Sequence, residues 1–431
     1  MSSRSIKVDM VARVEGEGAL NVELDGKEIR HVQLKIFEPP RFFEAFLQGR
    51  HYSEVSDIVA RICGICPVAY QMSAVHAFEK LFEVGIDPEI RRLRRLLYCG
   101  EWIESHALHI YMLHAPDFLG FDSALEISKT APDVVRRGLR LKKVGDAILK
   151  TLGGRAVHPV SVCVGGFTRL PARDKLTALL DDLHWARDAA VETAEWVSGL
   201  EFPDFPQPYT FMSLKHDDEY PFNEGDIFVS GAEGDARIPV TDYEQHFEES
   251  HVAHSNALQC HYQGKPYLTG PLARLNNNRD KLHPLASSTL EKIGLMLPLT
   301  NPFHGIVARS IEMLEAIEEA IEIIEGYLPP AQPAAECQVR AGECMAATEA
   351  PRGVLYHRYR VSAGGLIEEA KIVPPTSQNQ SRIEADIRSL LPSIIDKDDR
   401  QIAHACERII RCYDPCISCA THFLNLTIDR N

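Results

Sequence analysis

Two cysteine pairs at spacing three, Cys63/Cys66 and Cys416/Cys419, hold the most chemistry in this sequence. A thiolate is a nucleophile, a redox partner and a soft metal ligand. Spacing three turns both sulfurs of a pair towards one side. Pro67 follows Cys66, and Asp414-Pro415 precedes Cys416, so each pair is expected at the beginning of a helix. There, free N–H groups and the positive dipole end favour thiolate over thiol. One C-x-x-C alone is a weak signal. Zinc ribbons keep their two pairs within about 15–20 residues of each other, whereas Cys66 and Cys416 are 350 positions apart. A local zinc knuckle is therefore disfavoured, and the βαβ pattern of a thioredoxin-like motif is missing. The pairs either act separately or close one site that ties the two ends of the chain together; their context favours the shared site. Four thiolates suit nickel, iron, copper(I) or zinc rather than magnesium or calcium. Burying them calls for metal charge or cationic neighbours. Arg61 beside the first pair and Arg352 from elsewhere are the candidates.

The elements that must position these residues read as mainly α with small β-sheet additions, an α+β chain. Asn21–Leu24 and Ile29–Phe37 alternate around Asp25-Gly26, a hairpin turn signal. Phe42, Phe43, Phe46 and Leu47 share a helical face that Gly49 stops. Val68, Met72, Val75, Phe78 and Phe82 continue helically from Pro67 and end at Gly85, and a long helix starts at Asp87-Pro88 and runs towards His114. Residues 174–200 and 310–328 carry further amphipathic helices; the second is expected to face the core with a solvated acidic side. Residues 201–285 read as loops with a few strands or short helices, 329–336 as a proline-rich connector, and Leu355–Val373 as a second β unit around Ala363-Gly364-Gly365.

Composition narrows the class. At 431 residues, 45% hydrophobic and 25% charged, the chain can bury a sizeable core. A formal charge of −15 argues against nucleic acid and anionic membrane as main partners. No apolar run approaches the ~18 residues that would span a bilayer, and the first residues lack a signal-peptide core, so the expected compartment is the cytoplasm. Eleven cysteines is an odd count for a disulfide framework; the seven outside the pairs are expected to pack in the core.

With these residues in view, the sequence resembles the large subunit of nickel–iron hydrogenases. The resemblance spans nearly the whole chain, with motifs in order: Arg13-Val14-Glu15-Gly16; Arg41-Phe42-Phe43-Glu44 with Leu47-Gln48-Gly49-Arg50; Arg61-Ile62-Cys63-Gly64-Ile65-Cys66-Pro67; Gly153-Gly154-Arg155-Ala156-Val157-His158-Pro159; Glu349-Ala350-Pro351-Arg352-Gly353; and Asp414-Pro415-Cys416-Ile417-Ser418-Cys419-Ala420-Thr421-His422. Its wording is most similar to the soluble, cofactor-linked branch of NADP-linked bidirectional hydrogenases, also called sulfhydrogenases. The resemblance implies the large-subunit fold with a central helical bundle, as one domain over residues 1–422. The remaining tail, 423–431, is of the kind that relatives commonly lose on maturation.

For the site, the resemblance implies a nickel held by Cys63, Cys66, Cys416 and Cys419, with Cys66 and Cys419 shared with an iron that carries carbonyl and cyanide. The implied chemistry is heterolytic cleavage of H2, Cys416 serving as base and Glu15 as proton exit. Arg352 would sit over the open metal positions, and Asp414 would hydrogen-bond around them or cap the last helix. Asp117 matches a further aspartate of that surround, and His158 would either help orient it or be a hydrogen-bonded core histidine. A magnesium ion is implied on Glu44, the Lys371 carbonyl and His422. His106, His109 and His114 share one helix and are expected in polar-core or proton-path roles. Tyr70 stands where the family often has histidine. No iron–sulfur cysteine series and no dinucleotide fingerprint is found, so electrons are expected to leave through an iron–sulfur small subunit and flavin- and NAD(P)-binding diaphorase-type subunits. The alternatives are a hydrogenase-fold relative without H2 activity, in which the four cysteines would be lost, and a structural metal-binding subunit.

Overall fold

The computed structural model describes residues 3–421. At the amino end, β1 (Ser3–Val8), β2 (Gly18–Asp25) and β3 (Glu28–Ile36) form an antiparallel sheet with β2 in the middle. Period-two alternation buries Leu20, Val22 and Leu24 with Val32, Leu34 and Ile36 on one face. Short helices α1 (Phe43–Leu47) and α2 (Tyr52–Val59) lead to α3 (Pro67–Phe82) and α4 (Pro88–Leu108). Proline at the first position starts both long helices, and the Asp87 side chain caps α4 by accepting from the Glu89 N–H at 2.8 Å. The stop of α3 is Glu83, in the left-handed region at φ 52, rather than Gly85.

Past Leu108 the chain continues as a π-helical turn, His109–His114, then α5 (Ala115–Leu119), α6 (Ala124–Thr130) and α7 (Pro132–Gly153). The expected helix at 174–200 divides into α8 (Arg173–Thr177) and α9 (Leu180–Ser198), after the two-residue strands β4 (Val162–Cys163) and β5 (Gly166–Phe167). The stretch expected as loops contains β6 (Thr210–Lys215), β7 (Asp226–Gly231), β8 (Ala236–Ile238), α10 (Tyr243–His246), β9 (Phe247–His251), β10 (Leu258–Tyr262), β11 (Leu268–Thr269) and α11 (Pro271–Asn278). Then come α12 (Pro284–Ile293) and α13 (Gly305–Glu325). The second β unit is larger than expected: β12 (Gly342–Ala350) joins β13 (Gly353–Val361) and β14 (Ile367–Val373) in an antiparallel sheet. α14 (Pro375–Ile394) and α15 (Asp399–Cys412) close the described fold.

About 49% of the described residues are helical and 20% are strand, the mainly α class with small sheets. α4 packs on both α7 and α13, and α9 packs on both of those partners, which makes the central bundle. α4 and α7 approach closely through glycine: a Cβ on Gly145 would stand 2.6 Å from the Gly100 carbonyl and the Glu104 amide. The acidic side of α13 is not solvated as expected. Glu312, Glu315 and Glu319 are buried, and each meets a cation from another element: Arg274, His283 and Arg95 respectively. Only Glu322 and Glu325 near its end are exposed. The apolar stripe predicted the helix, but these buried pairs come from tertiary neighbours. Of the seven scattered cysteines, five are buried in the core, while Cys163 and Cys337 are partly exposed.

Candidate metal centre

The first cysteine pair sits where local sequence puts it. A 3-10 turn, Ala60–Ile62, leads into Cys63, and Cys66 occupies the cap position of α3 with Pro67 behind it. The amides of Ile65 and Cys66 point at the Cys63 sulfur, at 3.3 and 3.2 Å. Glu101 of α4 supplies the cap that Cys66 does not, its carboxylate accepting from the amides of Val68 (2.6 Å) and Ala69 (3.3 Å).

The second pair is placed differently from the expectation. It follows the end of α15 rather than beginning a helix; among the described residues only a 3-10 turn, Ser418–Ala420, lies beyond Cys416. Asp414 has φ 50, so the chain reverses there and Asp414 does not cap a helix. The turn is held from the other end of the sequence. Glu15 and Cys416 form a parallel bridge, the Ile417 amide donates to the Glu15 carbonyl at 2.9 Å, and the Cys416 amide donates to the Thr376 hydroxyl. Arg41 ties the two cysteine loops together, donating to the carbonyls of Ile62 and Ser418. Local pattern gave no reason to single out Arg41 or Glu101 for this, because both act across long sequence separations.

The four sulfurs converge. All lie within 4.8 Å of one another and all four residues are buried; Cys63 and Cys416 are 3.5 Å apart, Cys66 and Cys419 3.7 Å. Burial pushes the thiols of Cys66 and Cys416 well up. Burial acts on Cys63 too, but hydrogen bonds from its neighbours, above all Cys416, bring that thiol well below its ordinary value. Such a set suits a soft cation, which would replace the acid protons as the source of compensation.

Arg352 provides fixed positive charge. It stands in the two-residue turn between β12 and β13, fully enclosed, its Nε donating to the Asp414 carbonyl (2.6 Å) and its Nη2 to the Asp414 carboxylate (3.0 Å). Nη1 is buried with no hydrogen-bond partner among the described residues. Burial opposes its charge, but Asp414 and the cysteine sulfurs hold the guanidinium firmly protonated. A cation with an unused donor beside four thiols fits a site built to hold a metal group carrying further acceptors. Arg61, the other candidate cation, lies on the surface with Asp57 and does not serve the cluster.

The Glu15 carboxylate accepts from the Cys416 sulfur at 3.0 Å and from the Ser418 amide at 3.1 Å. Glu15 is partly exposed, so one side chain connects a buried thiol with the outside. Asp117 is held between Arg13 and Arg411, and none of its hydrogen bonds reaches the cysteines. His158 Nδ1 donates to the Ala60 carbonyl, 2.7 Å away, which steadies the turn before Cys63. His106 Nε2 lies 3.1 Å from Glu312, His109 meets the Arg411 carbonyl, and His114 faces the Cys412 sulfur; burial pushes His106 down to about 4 and His114 to about 3, so both are neutral. Tyr70, one helical turn past Cys66, is buried with its hydroxyl unpartnered among the described residues.

Glu44 lies against β14, accepting from the Ile372 amide at 2.8 Å, and burial pushes it up to about 7. This geometry bears on which carbonyl of β14 stands beside Glu44. In a trans peptide the Lys371 carbonyl points away from the Ile372 N–H, and in an antiparallel ladder it faces β13. The carbonyl on the Glu44 side is that of Ile372. The Lys371 ammonium pairs instead with Glu244 and Glu249. His422, the third expected magnesium ligand, lies outside the described residues.

The sequence pattern of the nickel-dependent hydrogenases matches residues 41–138 and 233–422. Sulfhydrogenase 1 subunit alpha of Pyrococcus furiosus is 34% identical over 426 residues, covering 98% of each chain. The NAD-reducing hydrogenase HoxS subunit beta of Cupriavidus necator is 29% identical, over 98% of this chain and 95% of its own. Among solved structures, an NAD+-reducing [NiFe]-hydrogenase in the H2-reduced state superposes with a TM-score of 0.86 at 25% identity, over 97% of this chain and 99% of that one. A [NiFeSe]-hydrogenase of Dm. baculatum, at 21% identity and a TM-score of 0.81, shares the fold.

Proposed function

As a member of the nickel-dependent hydrogenase family, this chain is the catalytic subunit of a nickel–iron hydrogenase, and from that premise we propose the role of each side chain at its centre. Cys63, Cys66, Cys416 and Cys419 would hold the nickel, and Cys66 and Cys419 would hold the iron as well. When bound, the nickel–iron group, with carbonyl and cyanide on iron, would supply the heterolytic cleavage by which H2 is converted overall to two protons and two electrons. The Cys416 sulfur receives the proton, and Glu15 takes it outward across the 3.0 Å contact. The Ser418 amide fixes the carboxylate in line, and a donor-only neighbour of this kind leaves the other oxygen free for onward transfer. Arg352, anchored on Asp414, keeps its unused Nη1 towards the open side of the centre and stabilises negative charge there.

Further parts of the proposal rest on relatives and on donor chemistry. For magnesium, Glu44 and a backbone carbonyl of β14, that of Ile372 in place of the expected Lys371, would give the oxygen ligands it prefers, and His422 would be an unusual nitrogen ligand beside them. Electrons leave through an iron–sulfur small subunit, and the names of the NAD-reducing relatives support NAD(P)-linked diaphorase subunits as the next carriers. No described helix is long and apolar enough to cross a membrane, and a cytoplasmic setting fits an NAD(P) link. Cysteines from both ends in one cluster support one unit over residues 1–422, with 423–431 as a removable tail.

The observation that carries the proposal is the Glu15 carboxylate on Cys416 within a closed four-cysteine cluster. Elemental analysis of the purified enzyme tests it, with infrared bands of iron-bound cyanide and carbonyl as the second readout. Nickel near one per catalytic chain is expected, with iron in excess of it because the iron–sulfur partner adds its own; zinc in place of nickel would refute it in favour of a structural metal site.

A further inference from the structure

Arg352 is at the tip of a hairpin, and a hairpin tip is a mobile place unless something holds it. Ala350 pairs with Gly353 across a turn of only Pro351 and Arg352, so the Pro351 carbonyl lies in the turn itself and needs a partner from outside the ladder. Arg274, in α11, supplies it and grips the Ala350 carbonyl as well. Its Nη1 donates to the Ala350 carbonyl (2.9 Å) and to Glu349 (2.9 Å), and its Nη2 to the Pro351 carbonyl (2.8 Å) and to Glu312 (2.8 Å). Its Nε donates to the second oxygen of Glu312 at 2.8 Å. Every N–H of the guanidinium is thereby used, which fixes the plane of the fork as well as its position.

The remaining faces of the tip are closed too. The Arg274 guanidinium lies 4.3 Å over the Trp102 ring, whose indole N–H donates to the Glu349 carbonyl. Behind the turn, a Cβ on Gly270 would come within 2.8 Å of the Arg352 carbonyl, and Gly353, at φ 136, would put one 2.6 Å from Thr269. The tip therefore has one position, and its two carbonyls are set by one side chain.

We propose that Arg274 is a positioning residue for the hydrogenase reaction: by gripping the Ala350 and Pro351 carbonyls it fixes the hairpin tip so that Arg352 stays on Asp414 and faces the cysteine cluster. This rests on the role given to Arg352 above. Glu312 and Glu349 balance the charge of Arg274 but do not themselves reach the turn carbonyls of Ala350 and Pro351. Charge and geometry can thus be separated. Arg274→Lys keeps a cation between the two carboxylates but has one nitrogen, with no planar fork to span both carbonyls.

The test compares Arg274→Lys, Arg352→Lys and the unaltered native enzyme. Amide hydrogen exchange is followed over residues 349–354, with nickel content and H2-dependent dye reduction measured on the same samples. For Arg274→Lys, exchange over 349–354 is expected to rise at least about tenfold while the rest of the chain is unchanged. Turnover falls roughly 10- to 100-fold with the KM for H2 within about twofold, as expected when a catalytic group is misplaced by an ångström or so. Nickel content stays at the unaltered level. Unchanged exchange at the tip, or exchange raised evenly along the chain, overturns the positioning role. So does an Arg274→Lys enzyme of full turnover beside an inactive Arg352→Lys enzyme. Full turnover in Arg352→Lys itself would refute the parent role of Arg352 instead, and is recognised because that substitution leaves the Arg274 grip in place.

Discussion

Replacing Glu15 by glutamine separates proton transfer from scaffolding, because the two functions use different atoms of the same residue. The Glu15 backbone carbonyl holds the Ile417 amide at 2.9 Å and is untouched by the change. A glutamine carbonyl can still accept from the Ser418 amide, now held at 3.1 Å by the carboxylate. What glutamine cannot do is take a proton from the Cys416 sulfur, 3.0 Å away, and pass it on. The structural cost is that of one weakened hydrogen bond, about 1 kcal/mol. The catalytic cost is that of removing a positioned acid–base group, roughly 10²–10⁴ in turnover, or about 3–5 kcal/mol of barrier. Turnover is measured as H2-driven reduction of a viologen dye by the native enzyme, with nickel and iron determined on the same preparation. Glu15→Gln should keep its metals and its thermal midpoint while turnover collapses. Turnover within about threefold of the unaltered enzyme, with metals present, would refute the relay. Activity falling only in proportion to metal content would reassign Glu15 to holding the cysteine turn.

Further outcomes follow from the same contacts. Cys416→Ser removes one of four converging sulfurs; the chain should stay folded by circular dichroism but lose nickel and H2 uptake, and retained uptake would count against Cys416 as a ligand. Glu79→Ala deprives buried Arg94 of both its carboxylate bonds, at 2.8 and 2.6 Å, and leaves the Gly165 amide unpaired. Denaturant unfolding should show a loss of about 3–5 kcal/mol, as for other broken buried pairs; a loss below ~1 kcal/mol would mean the pair is dispensable. His283 is opposed by burial, but the hydrogen bond and charge of Glu315 lift it to about 9. A histidine raised in the folded state stabilises fully below its unfolded value near 6.5 and loses that contribution as pH climbs to about 9. Unfolding free energy of the chain should thus fall by on the order of 2–3 kcal/mol across that window, and His283→Gln should flatten it; an unchanged slope would remove Glu315 as the cause.

Local sequence accounted for what depends on neighbours along the chain. Proline after Cys66 and aspartate before Pro88 start helices wherever they occur, and the alternation around Asp25-Gly26 makes a hairpin by turn chemistry alone. Periodicity passed over α7, α14 and α15, and it took the glutamates of α13 for a wet face. A period locates an apolar stripe, and it cannot tell whether the other side meets water or an arginine from another element. The motifs of the nickel–iron family named the four cysteines, Glu15 and Arg352, but not how they are held.

The soft donor set and its expected metal class came from residue type and spacing, since thiolate chemistry belongs to the side chain itself. Their meeting did not. Two pairs 350 positions apart are joined where Arg41 bonds both loops and Glu15 forms a bridge with Cys416, and Arg352 is brought beside them on a hairpin that Arg274 grips. Each is a contact across at least 21 residues, beyond the reach of any local propensity. Backbone direction likewise put the Ile372 peptide edge, rather than the Lys371 carbonyl, on the Glu44 side, because a strand presents its peptide groups alternately to its two sides. The sequence therefore determined which groups can do the chemistry, while tertiary packing decided which of them stand together, in what orientation, and with which charges around them.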